Sequence, residues 1–169
     1  IYNSYDMGDE IWGAAAIDDL TGDGNLEVAI TCKSGFFYIF DHLGNLVYEY
    51  NEEAFLTGAP AIGLIDIPDD YENLNDMKSV CYPIFDNTKG GVRCIVRHNN
   101  TWVEDLVYLQ LGDRVQKGVA ILDIDNDGSD DIVFGTDNDE IHIFSVANDL
   151  TTTFEVEDKI RSAPVSYTH

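Results

Sequence analysis

The stretch AAAIDDLTGDGNLEVAITCKSGFFYIFDHLGN can be laid on GVAILDIDNDGSDDIVFGTDNDEIHIFSVAND almost position by position, with Asp19 on Asp123, Asp23 on Asp127, Gly24 on Gly128 and Glu27 on Asp131. Self-similarity of this kind means that one supersecondary unit is used repeatedly, which constrains the fold more than any local motif. A third, weaker copy begins at APAIGLIDIPDD and puts Asp66 in the place of Asp19 and Asp123. The steps are 47 residues from Asp19 to Asp66 and 57 from Asp66 to Asp123, the longer one absorbing the extra segment 69–76. Ala163-Pro164 repeats Ala59-Pro60, so one more copy is expected to open there.

Within each unit the apolar runs are short, rich in Val, Ile, Phe and Tyr, and bounded by Gly, Asn and Asp, which is a strand pattern. Four strands per unit are expected: 13–17, 27–32, 36–40 and 46–50 in the first, and 118–122, 131–135, 141–145 and 152–157 in the last. No window carries an apolar stripe at helical spacing. Four antiparallel strands every 47 residues or so make a unit the size of a β-propeller blade, the alternative being an ordinary β-sandwich.

The expected fold class is therefore all-β, a β-propeller fragment of three four-stranded antiparallel blades with flanking single strands. One partial propeller spans 1–169, with the last strand of a preceding blade in 1–9, near 2–6. Blades follow over 10–54, 55–112 (degenerate) and 113–158, and 159–169 supplies the first strand of another, near 163–167. Propellers usually close with about 4 to 8 blades. The rest of a ring is expected from the same longer chain or from another copy.

The connection between first and second strands carries the chemistry. In the last unit it holds Asp123, Asp125, Asp127, Gly128, Ser129 and Asp131, a DxDxDGxxD pattern. Calcium takes about 6 to 8 oxygen ligands, and alternate residues of a tightly curled loop aim carboxylates inward where glycine permits the turn. Asp123, Asp125, Asp127 and Asp131 are the expected side-chain ligands, with Ser129 offering a backbone carbonyl. An EF-hand begins alike, but here Ile132-Val133-Phe134 reads as a strand and no glutamate occupies the twelfth position. The first loop has Asp19, Thr21, Asp23, Gly24, Asn25 and Glu27, with threonine in place of one carboxylate, so weaker binding is expected. In the middle unit Asp66, Pro68 and Asp70 are interrupted by YENLND, and no comparable site is expected.

Both loops, DLTGDGNLE and DIDNDGSDD, resemble the FG-GAP/VCBS repeat, the calcium-loop blade of integrin α-subunit propellers and of many bacterial secreted proteins. The resemblance implies a calcium-stabilised propeller used in adhesion, in carbohydrate-active enzymes or as an accessory domain. The reading it favours is a non-catalytic extracellular binding, adhesion or scaffolding module, secreted or at the cell surface, with a protein or glycan partner. The alternative is the propeller portion of a secreted carbohydrate-active enzyme such as a polysaccharide lyase. Nine-residue loops lacking a closing bidentate glutamate suit the millimolar calcium found outside cells.

Against 32 Asp and Glu stand 9 Lys and Arg, a formal charge of −23 that repels nucleic acid and anionic membrane surfaces. No apolar run is long enough for membrane insertion as a helix. Strand alternation puts six of the nine basic residues on the end opposite the acidic loops: Lys33 and Lys89 in second-to-third loops, and Arg114, Lys117, Lys159 and Arg161 around fourth-to-first connections. The last four are the expected ligand face, suited to an anionic partner such as a uronic-acid glycan.

His42 and His98 occupy third-to-fourth turns, His142 a strand and His169 the last position, and no GxSxG or HExxH motif is present. Cys32, Cys81 and Cys94 are an odd count without a CxxC pair, which argues against a disulfide framework and a structural zinc site. Cys81 and Cys94 fall on adjacent strands and read as small buried residues, with a disulfide between them as the alternative that their register decides, and Trp12 and Trp102 read as packing between blades.

Overall fold

A computed structural model describes residues 4–65, 78–86, 90–111, 114–115 and 117–165. They form twelve strands and, among the described residues, no helix. The strands make three four-stranded sheets, each in chain order. The first contains β1 (Ala16–Asp18), β2 (Glu27–Thr31), β3 (Phe36–Phe40) and β4 (Leu46–Asn51). The second contains β5 (Ala61–Gly63), β6 (Ser79–Phe85), β7 (Gly90–His98) and β8 (Thr101–Leu111). The third contains β9 (Val119–Leu122), β10 (Asp131–Gly135), β11 (Glu140–Ser145) and β12 (Leu150–Glu155). All pairings are antiparallel, and none of the sheets closes into a barrel.

Residue alternation explains how the sheets stack, since successive side chains of a strand point to opposite faces. In β6, Val80 and Tyr82 join Ala29, Phe37, Ile39 and Leu56 of the first repeat and its connection in one core. Cys81, between them, belongs instead to a core with Ile121, Ile132, Phe134 and Phe144 of the third sheet. The middle sheet is thus covered on both faces. Phe37 stacks on Tyr82 with ring centroids 4.3 Å apart and planes 9° from parallel, an offset contact between two fully buried rings. Beside it, the Tyr82 hydroxyl donates to Glu52 at 2.8 Å, and Arg93 forms an ion pair with the same carboxylate. Burial, then the Glu52 charge, pushes the Tyr82 phenol well above its ordinary pKa, so it acts as a donor throughout the usual pH range.

The strand starts line up along one edge. Ala59 and Gly118 form a parallel bridge, and the Ala59 N–H donates to the Lys117 carbonyl at 3.1 Å. A Cβ placed on Gly13 would lie 2.8 Å from the Ala59 nitrogen, so only glycine lets the two backbones approach this closely.

Several boundaries differ from those the sequence suggests. β1 is shorter, because residues before Ala16 run beside the second repeat instead of pairing with β2. β12 starts at Leu150, because Asp149, at φ 48°, closes a turn onto the Val146 carbonyl and puts Leu150 opposite Ser145. Residues 4–6 and 163–165 are not in strands, and the remainder of each expected terminal strand lies outside the described residues, as do Asp66, Pro68 and Asp70. Among the described residues no helix is long and apolar enough to cross a membrane.

The cysteines take the alternative that the sequence left open. Cys81 and Cys94 are both buried, as expected, but they are joined in a disulfide, and Cys32 is the free thiol. The pairing follows from register: Gly90 opposes Phe85, and counting back along the ladder sets Cys94 directly across from Cys81. An odd count excludes neither one bond nor one spare thiol. A cross-link closing a loop of this size removes conformational freedom from the unfolded chain. Replacing both cysteines by alanine is expected to lower the unfolding free energy by about 2–4 kcal/mol, read from urea denaturation, with the strand signal of the folded protein retained.

Candidate metal centre

The two acidic loops adopt matching conformations. In the first, Gly22 and Gly24 have φ of 72° and 86°; in the other, Asn126 and Gly128, at the corresponding positions, have 61° and 98°. Left-handed residues two apart curl the chain so that backbone N–H groups turn inward. The leading aspartate of each loop collects them. Asp19 accepts from Gly22 at 2.7 Å and Asp23 at 3.2 Å through Oδ1, and from Gly24 at 2.9 Å through Oδ2. Asp123 accepts from Asp127 at 3.1 Å and from Gly128 at 3.0 Å. These N–H groups, Gly24 foremost, hold the Asp19 carboxyl below its ordinary pKa.

The closing acid of each loop sits on the second strand and is buried. Glu27 is 2% exposed and accepts N–H bonds from Leu20 and Thr21 at 2.9 and 3.1 Å. Asp131 is 3% exposed and accepts from Ile124 at 3.0 Å. Its pKa is raised, by burial first and with the charges of Asp125 and Asp127 adding to the effect. A dication beside these carboxylates opposes each of those causes.

Carboxylate oxygens of Asp123, Asp125 and Asp131 all lie within 4.8 Å of one another, the one such convergence among the described residues. Asp127 is held differently: its Oδ1 accepts from the Ser129 N–H at 2.9 Å and its Oδ2 from the Asn148 amide at 3.1 Å. Asn148, in the turn before β12, was not evident from the sequence, since only tertiary folding brings it to the loop. Ser129 is buried under the turn. In the first loop Asp23 accepts from both the backbone and side-chain nitrogens of Asn25. Thr21 Oγ1, at the place of Asp125, is buried with no hydrogen-bonding partner. An uncompensated buried hydroxyl has a measurable cost, and an added ligand would relieve it.

The other candidate residues lie elsewhere. Arg114 places its guanidinium 4.8 Å from the Phe85 ring centroid, and its carbonyl accepts from Asp137 in the β10–β11 turn. Lys117 borders the strand-start edge, while Lys159 and Arg161 are exposed beside Ile160, which packs over Gly135. All four belong to the end opposite the acidic loops. His142 stacks on Phe134 at 5.1 Å and contacts Glu140, and His98 contacts Asn99. His169 and Lys89 lie outside the described residues. Trp102 packs on Tyr48 at 5.2 Å, as expected of a core tryptophan. Trp12 does not pack between sheets: it is 59% exposed, its indole N–H donating to Glu10 and its ring lying beside the Lys33 ammonium.

No protein-family model matches the chain, and no curated protein is similar to it at a significant level. Backbone conformation makes a clean test of the loops. Nothing lies within 4 Å of a Cβ added at Gly24 or Gly128, so alanine there meets no steric obstacle and strains only φ. Gly24→Ala and Gly128→Ala are each expected to cost about 1–2 kcal/mol in chemical denaturation, whereas Gly22→Asn, copying Asn126, should change stability little.

Proposed function

We propose that this chain forms three consecutive blades of a calcium-braced β-propeller of the FG-GAP/VCBS type, acting outside cells as a non-catalytic binding or scaffolding module. The observation that carries this reading is the matching geometry of the two acidic loops. Each has a leading aspartate bound to inward N–H groups, left-handed residues at equivalent positions and a buried closing acid. The Asp123–Asp125–Asp131 cluster presents the hard oxygen donors that calcium prefers, and Thr21 in place of Asp125 makes the first loop the weaker site. Face-to-face stacking of three sheets and the side-by-side strand starts at Ala59 and Gly118 support blades around a common axis. The buried disulfide is compatible with an oxidising compartment.

Calcium bound by the folded state alone adds stability by mass action. At about 100 times the dissociation constant the gain is about 2.7 kcal/mol, seen as a higher melting temperature than in chelator. Asp131→Asn should have opposite effects in the two conditions. In chelator it relieves a buried, crowded carboxylate and raises the melting temperature; in millimolar calcium it removes a ligand and lowers the temperature below wild type. Thr21→Asp is expected to tighten the weaker of two binding steps in calorimetry. A melting curve indifferent to calcium, together with no ion by elemental analysis of the dialysed protein, would refute the metal reading.

A further inference from the structure

One hairpin runs farther than its counterparts at the end of the molecule that carries the acidic loops. Ser79 pairs with Gly63 at the end of its ladder, as Glu27 does with Asp18 and Asp131 with Leu122, and Val96 lies across from Ser79 on the other side. Beyond Val96 the β7–β8 ladder continues, with Arg97 opposite Trp102 and His98 opposite Thr101. The outer repeats have turned by this level. In the first, the Asp41 N–H already donates to the Asn45 carbonyl, and in the third, Ser145 is the last residue of β11 and pairs with Leu150. Two further residues, at about 3.4 Å each, carry the middle tip about 7 Å beyond that level.

Asn99 and Asn100 close this tip, with φ of 49° and 63°. Two left-handed residues between paired strands form the tight turn that matches the twist of a hairpin, and asparagine tolerates that conformation. Asn99, Asn100 and Thr101 are all exposed. The Asn99 side-chain amide lies 2.8 Å from Nε2 of His98 on the same surface. In a chain with 32 acidic residues, no carboxylate occurs from Arg97 to Val103. The tip is thus an uncharged polar group of residues on a short stalk, held by the ladder behind it.

We infer that Asn99 is a modification site, the acceptor of an N-linked glycan. Asn99-Asn100-Thr101 has the N-x-S/T pattern, and no other asparagine of the sequence has serine or threonine two places on. A linked glycan is bulky and solvated, so the folded protein has to present its acceptor at the surface, and the β7–β8 tip does so. The donor is an oligosaccharide carried on a polyprenyl diphosphate. A bond forms between Nδ2 of Asn99 and C1 of the first sugar while the C1–oxygen bond to the diphosphate breaks. The diphosphate leaves with the electron pair, and the amide gives up one proton. The amide keeps its other N–H, which still donates to His98. In the native protein this transfer rests on the extracellular reading proposed for the molecule, because it takes place on the secretory route.

The test is translation of the full chain behind a cleavable secretory leader with eukaryotic microsomes, scored on the protease-protected fraction. A single upward step in apparent mass is expected, removed by peptide-N-glycosidase, with aspartate then found at position 99 by peptide mass spectrometry. Thr101→Ala leaves both turn residues in place and should lose the step, as should Asn99→Gln, while Thr101→Ser should keep it. Protein secreted from a eukaryotic line is expected to melt no lower with its glycan than after enzymatic removal, as an unobstructed acceptor requires. A protected chain without glycan, a step that survives Thr101→Ala or Asn99→Gln, or a glycosylated form that melts below the deglycosylated one overturns the site. The leader fixes the compartment, and calcium dependence of melting is read separately on the deglycosylated protein. Failure of the glycan site and failure of the calcium-braced reading are therefore distinguishable.

Discussion

Everything else in the molecule depends on the middle sheet packing against a core on each of its two faces. Its residues alternate between the core built on Phe37, Ile39 and Tyr82 and the core built on Cys81, Ile132 and Phe134, so each outer sheet buries apolar side chains against it. Short strands of this kind are marginal by themselves, because a four-stranded sheet buries one face only when something covers it. Stacking supplies that cover. The disulfide and the Tyr82–Glu52–Arg93 group then hold the sheet on which both cores rely.

The acidity of the chain has a local organisation. Among the described residues the other carboxylates, apart from Glu52 in its ion pair with Arg93, are exposed or half-exposed, but Glu27 and Asp131 are drawn into the sheet edge by the turn that precedes β2 and β10 and are satisfied there by backbone N–H groups. Such a loop is a compromise: N–H donors favour the ionised form of the leading aspartate, while burial and neighbouring charges act against ionisation of Asp131. That tension is what makes a cation a natural structural element of these turns in the proposed reading.

Antiparallel hairpins send the acidic turns to one end and the β2–β3 turn and the connection after β4 to the other. The two ends consequently differ in chemistry. One presents carboxylates curled around inward N–H groups; the other presents glycine-tightened backbone with Trp12, Lys33 and Phe55 at its rim.

The repeat, the four-strand unit and the pairing of Asp19 with Asp123 and of Glu27 with Asp131 were all legible in the sequence, because they rest on local causes: period-two apolar alternation, and turns that demand glycine at a given φ. β2, β3 and β10 fall within a residue of where that pattern puts them. What only the tertiary structure decided depends on register and on contacts between repeats. The Cys81–Cys94 bond needed the β6–β7 ladder, Asn148 reached Asp127 from another turn, and Trp12 is held at the surface beside Glu10 and Lys33. Those relations join residues distant in the chain through backbone geometry, and one-dimensional patterns of hydrophobicity and charge carry no measure of it.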